Sequence, residues 1–312
     1  MASTTEILGG LTAGSMFNLQ GVVAVVTGGG TGIGLMISST IVANGGKVYI
    51  VGPQQKELDR IAEIYNQGTT TGMGSMHGVE ADIRQKSEAT RVAALINARE
   101  PHGITVLFNN AGILKGQFTR PEFSPSDPPN AQAFVDALFD PVSQEDFNDV
   151  FNTNAVGPYW FTFAFLPLLE KWKSSPGGKK FVPQVIMTSS MNGWTKDAAT
   201  SGFTFPYLFS KSAIGHATST LAHELLPLGI RVNGIAPGLF PSEMSNPGSI
   251  DDKGINTIAP ETKIVFEVPA NHAGGTRHDM GALVLFLVAN WFVNGETVLI
   301  DGGTLLKHPS SY

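Results

Sequence analysis

Residues 22–43 read Val22-Val23-Ala24-Val25-Val26-Thr27-Gly28-Gly29-Gly30-Thr31-Gly32-Ile33-Gly34-Leu35-Met36-Ile37-Ser38-Ser39-Thr40-Ile41-Val42-Ala43. A β-branched apolar run enters a glycine-rich turn, and a helical pattern from Leu35 to Ala43 leaves it. Glycines at 28, 32 and 34 remove side chains where a tight turn must let the backbone approach a pyrophosphate. The helix behind them offers unpaired N–H groups and a positive dipole end. Glycine clusters mark turns of every kind. With a strand before and a helix after, this one reads as a seat for a dinucleotide.

Outward from that turn, short β-branched runs alternate with longer helical patterns, the arrangement of βαβ units and a parallel sheet. The expected strands are Val22–Thr27, Lys47–Val51, Met76–Ala81, Thr105–Asn109, Pro183–Ser189, Arg231–Ile235 and Thr297–Asp301. Several are apolar on both faces, as strands covered by helices on each side must be. The fold expected is therefore α/β, a single doubly wound (Rossmann-type) domain with a seven-stranded parallel sheet. Its expected limits are 17–305, after a flexible leader at 1–16 and before a C-terminal tail at 306–312. Two stretches break the alternation: Gly116–Val142, rich in Pro, Asp, Ser and Phe, and Leu239–Thr276, with Pro, Gly and Asn throughout. Long irregular loops in compact domains are commonly functional. The second follows the Pro237-Gly238 turn at a strand's carboxyl end, where ligands bind in open α/β sheets. It is expected to be a substrate loop closing on an apolar ligand through Phe240, Met244, Ile250, Ile255 and Ile258.

Composition narrows the functions. The chain has 312 residues, 42% hydrophobic and 15% charged, the balance of a globular enzyme with a sizeable core. A net charge of −6 without a basic run gives no footprint for nucleic acid or an anionic membrane, and neither is expected as a partner. The absence of cysteine excludes disulfides, thiolate nucleophiles and thiolate-bound zinc or iron–sulfur clusters. Residues 1–20 carry no Lys or Arg and have glycines at 9, 10 and 14, so no secretory signal is expected. No run reaches the roughly 18 apolar residues of a membrane span. A soluble cytoplasmic protein is the expectation. The seven histidines show no ligand spacing beside an acid, so no metal site is expected, and His216 and His223 read as packing residues.

More matches follow in a fixed order: Ala81-Asp82-Ile83, Asn109-Asn110-Ala111-Gly112, Asn154-Ala155-Val156-Gly157, Thr188-Ser189-Ser190, Tyr207-Leu208-Phe209-Ser210-Lys211, Arg231-Val232-Asn233 with Pro237-Gly238, and Gly295 leading to Asp301-Gly302-Gly303. Together with the Gly-x-x-x-Gly-x-Gly turn they resemble the short-chain dehydrogenase/reductase family, from about Phe17 to Leu305.

Tyr207 and Lys211 stand four apart on a helical pattern, so their side chains share a face. A free phenol titrates near 10, and bringing it toward 7 takes roughly 4 kcal/mol of preference for the phenolate. The resemblance implies that Lys211 supplies part of that preference and holds the nicotinamide ribose, while Tyr207 transfers the proton. It also implies that Ser190 polarises the substrate oxygen and Asn154 completes a proton relay. Ser190 is preferred over Ser189 because it directly precedes Met191-Asn192-Gly193, where relatives place the reactive serine. The connection from Ser190 to Tyr207 is a few residues longer than in relatives.

The implied function is NAD(P)(H)-dependent interconversion of a secondary alcohol and a ketone, on an apolar small molecule such as a secondary metabolite. A family member without catalysis, serving as a binding or scaffold protein, is the alternative. The cofactor is expected on Gly28, Thr31, Gly32, Ile33 and Gly34. The resemblance implies that Asp82, with Ile83, lies at the adenine and that Asn109, Ala111 and Gly112 line the adenosine groove. Tyr207, Lys211, Pro237 and Gly238 complete the set. At the end of the second strand, Gly52 stands where an acid would select NAD and Pro53 where an arginine would select NADP. With no carboxylate to exclude a 2′-phosphate, and with Lys56, Gln54 and Gln55 nearby, NADP(H) is slightly favoured over NAD(H). The helical stretches Asp146–Trp172 and Tyr207–Leu226 are apolar on more than one face, so a homodimer or homotetramer is expected.

Overall fold

The computed structural model describes residues 2–257, 264–270 and 274–312. Seven parallel strands form one sheet: β1 Val23–Thr27, β2 Lys47–Gly52, β3 Ser75–Glu80, β4 Val106–Asn109, β5 Gln184–Thr188, β6 Arg231–Pro237 and β7 Thr297–Ile300. Their spatial order is β3-β2-β1-β4-β5-β6-β7. The order reverses between β1 and β4, which places a crevice at the carboxyl ends of those two strands.

The helices are α1 Thr4–Gly10, α2 Ala13–Met16, α3 Gly32–Ala43, α4 Gln55–Gln67, α5 Lys86–Arg99, α6 Ala131–Phe134, α7 Gln144–Phe151, α8 Gly157–Lys173, α9 Phe205–Glu224, α10 Arg277–Ala289 and α11 Thr304–Lys307. Alternation along β1 sorts them into layers, since successive side chains face opposite sides of the sheet. Val23 and Val25 join a core with Val92 of α5, Phe161 and Phe165 of α8, and Ile214 of α9. Ala24 and Val26 join the other core with Ile37 and Ile41 of α3, Leu58 of α4 and Val284 of α10. Burying each such side chain is worth about 1.5–3 kcal/mol.

All seven expected strands are present, with ends displaced by one or two residues for local reasons. Thr105 lies outside β4 and turns its hydroxyl to accept from the Val23 N–H at 3.0 Å. Pro183 has no N–H to give to a ladder. Asp301 leaves β7 because its carboxylate accepts from Gly303 N and Leu305 N, both at 2.8 Å, and so opens α11. β6 runs two residues further than expected, to Pro237, paired with Ile300.

The leader contains α1 and α2, capped by Ser3 and Thr12, and none of their residues is buried. Gly116–Val142 carries only α6 and a π-helical turn at Val135–Phe139 among irregular backbone. The end of the chain folds back, with the Tyr312 hydroxyl donating to Thr297 O at 2.7 Å. No described helix is long and apolar enough to cross a membrane.

Candidate active site

A cavity of about 880 Å³ opens along the carboxyl ends of the central strands. Its dinucleotide end is built by the glycine turn. Gly28 has φ +64°, and a Cβ there would stand 2.9 Å from Ala111 Cα. A Cβ on Gly34 would overlap the Gly28 carbonyl. Thr31 is the N-cap of α3 but makes no side-chain cap hydrogen bond, so the first N–H groups of that helix face the cavity without an internal partner. A close-approach cradle with an open helix N-terminus fits a pyrophosphate. Thr31, Gly32 and Ile33 line the same wall.

Around the rim, Gly52, Asp82, Ile83, Ala111 and Gly112 line the cavity, and so do Pro237 and Gly238. Both Asp82 carboxylate oxygens accept from Arg84, Oδ1 from Nε at 2.9 Å and Oδ2 from Nη2 at 2.8 Å. Those bonds hold its carboxyl below the usual range. The pair is largely exposed, so it contributes little to stability.

Two expected cofactor residues lie elsewhere. Asn109 is buried in the core, where its Nδ2 donates to Thr162 Oγ1 at 2.9 Å. Its neighbour Asn110 lines the cavity and ties the loop to β1 by donating from Nδ2 to Thr27 O at 3.1 Å. Alternation on leaving β4 gives the two asparagines opposite faces. Lys56 is exposed in the first turn of α4 and is not part of the cavity wall. Gln55 donates from Nε2 to Asp59 Oδ1 at 2.7 Å and accepts at Oε1 from Glu80 N at 2.8 Å, away from the cleft.

At the other end Ser190, Tyr207 and Lys211 line the cavity, while the fourth candidate catalytic residue, Asn154, is buried behind its wall. Thr204 caps α9, its hydroxyl accepting from Tyr207 N at 3.4 Å and donating to Lys115 O at 2.6 Å. That cap fixes Tyr207 in the first turn and Lys211 one turn later on the same face. The Lys211 ammonium lies 5.6 Å from the centre of the Tyr207 ring and donates to Thr188 O at 2.9 Å. Burial pulls Lys211 down to about 8. Burial also pushes the Tyr207 phenol up to about 12, opposed by a hydrogen bond with Ser190. At neutral pH both groups therefore hold their protons.

The two serines separate clearly. Ser189 Oγ donates to Lys211 O at 2.7 Å and is committed to the helix. Ser190 Oγ faces the phenol, with longer bonds to Asn192 Oδ1 at 3.2 Å and Pro237 O at 3.4 Å. Asn154 sits in a π-helical turn, Asn152–Val156, between α7 and α8. Its side chain accepts from Ile113 N at 2.8 Å and donates to Ile113 O and Ser210 Oγ, both at 3.0 Å. It thereby fixes the loop after β4 beside Lys211. A Cβ on Gly112 would meet Asn154 Oδ1 at 3.2 Å and Lys211 Nζ at 3.4 Å.

Of the expected loop residues, Phe240 and Met244 line the cavity, although Phe240 is also part of the core. Ile250 is exposed, Ile255 is half-buried away from the wall, and Ile258 lies outside the described residues. Arg84, Asn192 and Phe203 also line the cavity and were missed. Arg84 stands beside the Ala81-Asp82-Ile83 segment singled out in the sequence, and Asn192 lies within Met191-Asn192-Gly193. Phe203, with φ +56°, carries no sequence signal. Among the described residues, no group of three or more His, Asp or Glu could hold a metal ion.

A family model described as short chain dehydrogenase matches residues 22–252. The chain is 33% identical to the short-chain dehydrogenase/reductase VdtF of Byssochlamys spectabilis, over 97% of this chain and 98% of that one. It is 32% identical to PhomF of Diaporthe leptostromiformis, over 99% and 100%. Among solved structures, a Pseudomonas aeruginosa RhlG/NADP active-site complex superposes with a TM-score of 0.70 at 24% identity, over 93% of this chain and 98% of that one. The match over most of the chain, on a seven-stranded parallel sheet with Ser190, Tyr207 and Lys211 gathered at one end of its cleft, makes the chain a member of the short-chain dehydrogenase/reductase family of oxidoreductases.

Proposed function

We propose that the protein interconverts a secondary alcohol and a ketone on an apolar small molecule, with NAD(P)(H) as its redox partner. The carrying observation is that one cavity joins the open N-terminus of α3 to the Ser190, Tyr207 and Lys211 cluster. When bound, the nicotinamide supplies or accepts the hydride. In reduction, the Ser190 hydroxyl donates to the carbonyl oxygen, and Tyr207 gives its proton to the same oxygen as negative charge develops there. In oxidation, Tyr207 takes that proton back. Lys211, protonated below about pH 8, favours the phenolate and is placed to reach the ribose. Asn154 keeps the loop and lysine in register and is the proposed relay member. Leu114, Met191, Phe203, Met244 and Phe266 on the substrate side support an apolar substrate. The test is nicotinamide absorbance with a panel of ketones and alcohols; no change with any of them would overturn the reading.

The serine assignment has its own test. Ser190→Ala is expected to lower turnover about 10²-fold or more, by removing a donor aimed where charge develops. Ser189→Ala should leave turnover within severalfold and lose about 1 kcal/mol of stability with its bond to Lys211 O. The reverse ranking of kcat would move the role to Ser189.

NADP(H) is proposed as the better cofactor. The support is that the cavity wall at the end of β2 is Val51, Gly52 and Pro53, with no carboxylate to repel a 2′-phosphate. Since Lys56 lies outside that wall, a modest preference is expected. A kcat/KM favouring NAD(H) by more than about tenfold, some 1.4 kcal/mol, would overturn it.

A homodimer or homotetramer is proposed through α8 and α9, where Tyr159, packed on Phe163, is 49% exposed and Phe209, packed on Phe147 and Phe205, is 51% exposed. Such an aromatic patch fits burial against a second copy. Light scattering at micromolar concentration is expected to give at least twice the 33.1 kDa chain mass. A monomer would refute the assembly.

A further inference from the structure

The lengthened connection between Ser190 and Tyr207 forms the outer wall of the substrate end, and the last residues of the chain grip it. Lys196 N donates to Pro309 O at 2.7 Å, and Ser311 N donates to Trp194 O at 2.9 Å. Thr195 and Ser310 pair as an antiparallel bridge. His308 Nδ1 stands 2.6 Å from Asp197 Oδ2. Tyr312 anchors the segment to the sheet, its ring edge-on to Trp194 and its hydroxyl accepting from Leu299 N at 3.1 Å while donating to Thr297 O.

From the inner side, Asn192 touches both the wall and the serine. Its Nδ2 donates to Thr200 O at 2.7 Å, and its Oδ1 accepts from Ser190 Oγ at 3.2 Å. The wall is held in one strained form. Phe203, a bulky residue with φ +56°, ends it, and its carbonyl accepts from Phe118 N at 2.9 Å. The Arg120 guanidinium lies over both phenyl rings and donates to Ser201 Oγ at 3.2 Å. A non-glycine residue persists in that region only where its surroundings over-determine it.

We propose that the C-terminal segment His308–Tyr312 is a positioning element for Ser190: it holds the 194–203 wall in place, and Asn192 transmits that placement to the serine hydroxyl. The inference rests on the hydride-transfer reading above. A donor displaced by about 1 Å can cost up to 10²-fold in rate. The segment thus affects turnover from outside the cavity, without touching the cofactor cradle.

The test compares the native chain, a chain shortened after Lys307, Tyr312→Phe and Asn192→Ala, with the shortening repeated in Ser190→Ala. Shortening is expected to speed amide exchange in residues 194–203 about tenfold or more. It should lower kcat by about 10- to 100-fold and leave cofactor affinity within about twofold. Asn192→Ala should match that loss in kcat, and Tyr312→Phe should show a severalfold version of it even if the shortened chain folds poorly. In Ser190→Ala, shortening should cost less than about twofold further, because elements acting through one group are not additive. Unchanged exchange, or an equal loss in both backgrounds, would overturn the inference while leaving the hydride-transfer reading intact. Absence of turnover in the native chain would overturn both.

Discussion

Tyr207→Phe is expected to fold, to bind nicotinamide cofactor as tightly as the native chain within about twofold, and to lose 10²- to 10⁴-fold in turnover, the contribution of a positioned general acid or base. The substitution keeps the ring, which is 9% exposed and packs under the Lys211 ammonium. It removes only the hydroxyl. That hydroxyl bonds Ser190, and the Thr204 cap of α9 uses the Tyr207 backbone N–H instead, so its loss leaves the cap in place. The expected signature is a fall in kcat with little change in the dissociation constant of the cofactor, as for a group that acts only in the transition state. Burial pushes the phenol up to about 12, so the free enzyme keeps the proton at neutral pH and stands ready as the donor in reduction. Retention of more than about a tenth of the native turnover would remove Tyr207 from the chemistry.

What could be read from the sequence follows from which contacts are local. β1 and β5 are buried along their whole length, so each carries a continuous apolar run, Val22–Val26 after Gly21 and Val185–Met187 after Pro183 and Gln184. The glycine turn and the Tyr207–Lys211 spacing each sit within one strand–turn–helix or one helix, where period and order suffice to place them. The errors arise where orientation depends on packing. Asn109 and Asn110 are adjacent and chemically identical, and only the strand's register decides which faces Thr162 and which the cavity. Lys56 is near the cleft in sequence, but the first turn of α4 points it outward. The grip of Ser310 and Ser311 on Trp194 and Thr195 joins residues more than a hundred positions apart, which no local pattern encodes. Asn154 was visible as a residue, whereas the π-helical turn that aims it at Ile113 was not.

Lys211→Met should separate stability from activity. Burial depresses the lysine from 10.5 to about 8, a bias of roughly 3 kcal/mol against the folded ammonium. Because the folded value lies below the unfolded one, the unfolded chain binds more protons between about pH 8 and 10.5, and native stability rises with pH across that window. Below about pH 8 the folded chain carries the full cost of the buried charge. Methionine has similar volume and no charge, so the variant escapes that cost. It loses the bond from Nζ to Thr188 O, which leaves a carbonyl short of a partner at about 1–3 kcal/mol. These effects nearly offset each other, so at pH 7 the variant should melt within a few degrees of the native chain, or above it. Its advantage should shrink as pH climbs through 8 to 10.5. Turnover should nevertheless fall by about 10²-fold or more, since no cation remains beside Tyr207 to favour the phenolate. A variant that unfolds at pH 7 would show that Lys211 is there for the fold. One that keeps its turnover within tenfold would show that the ammonium does not act on the phenol.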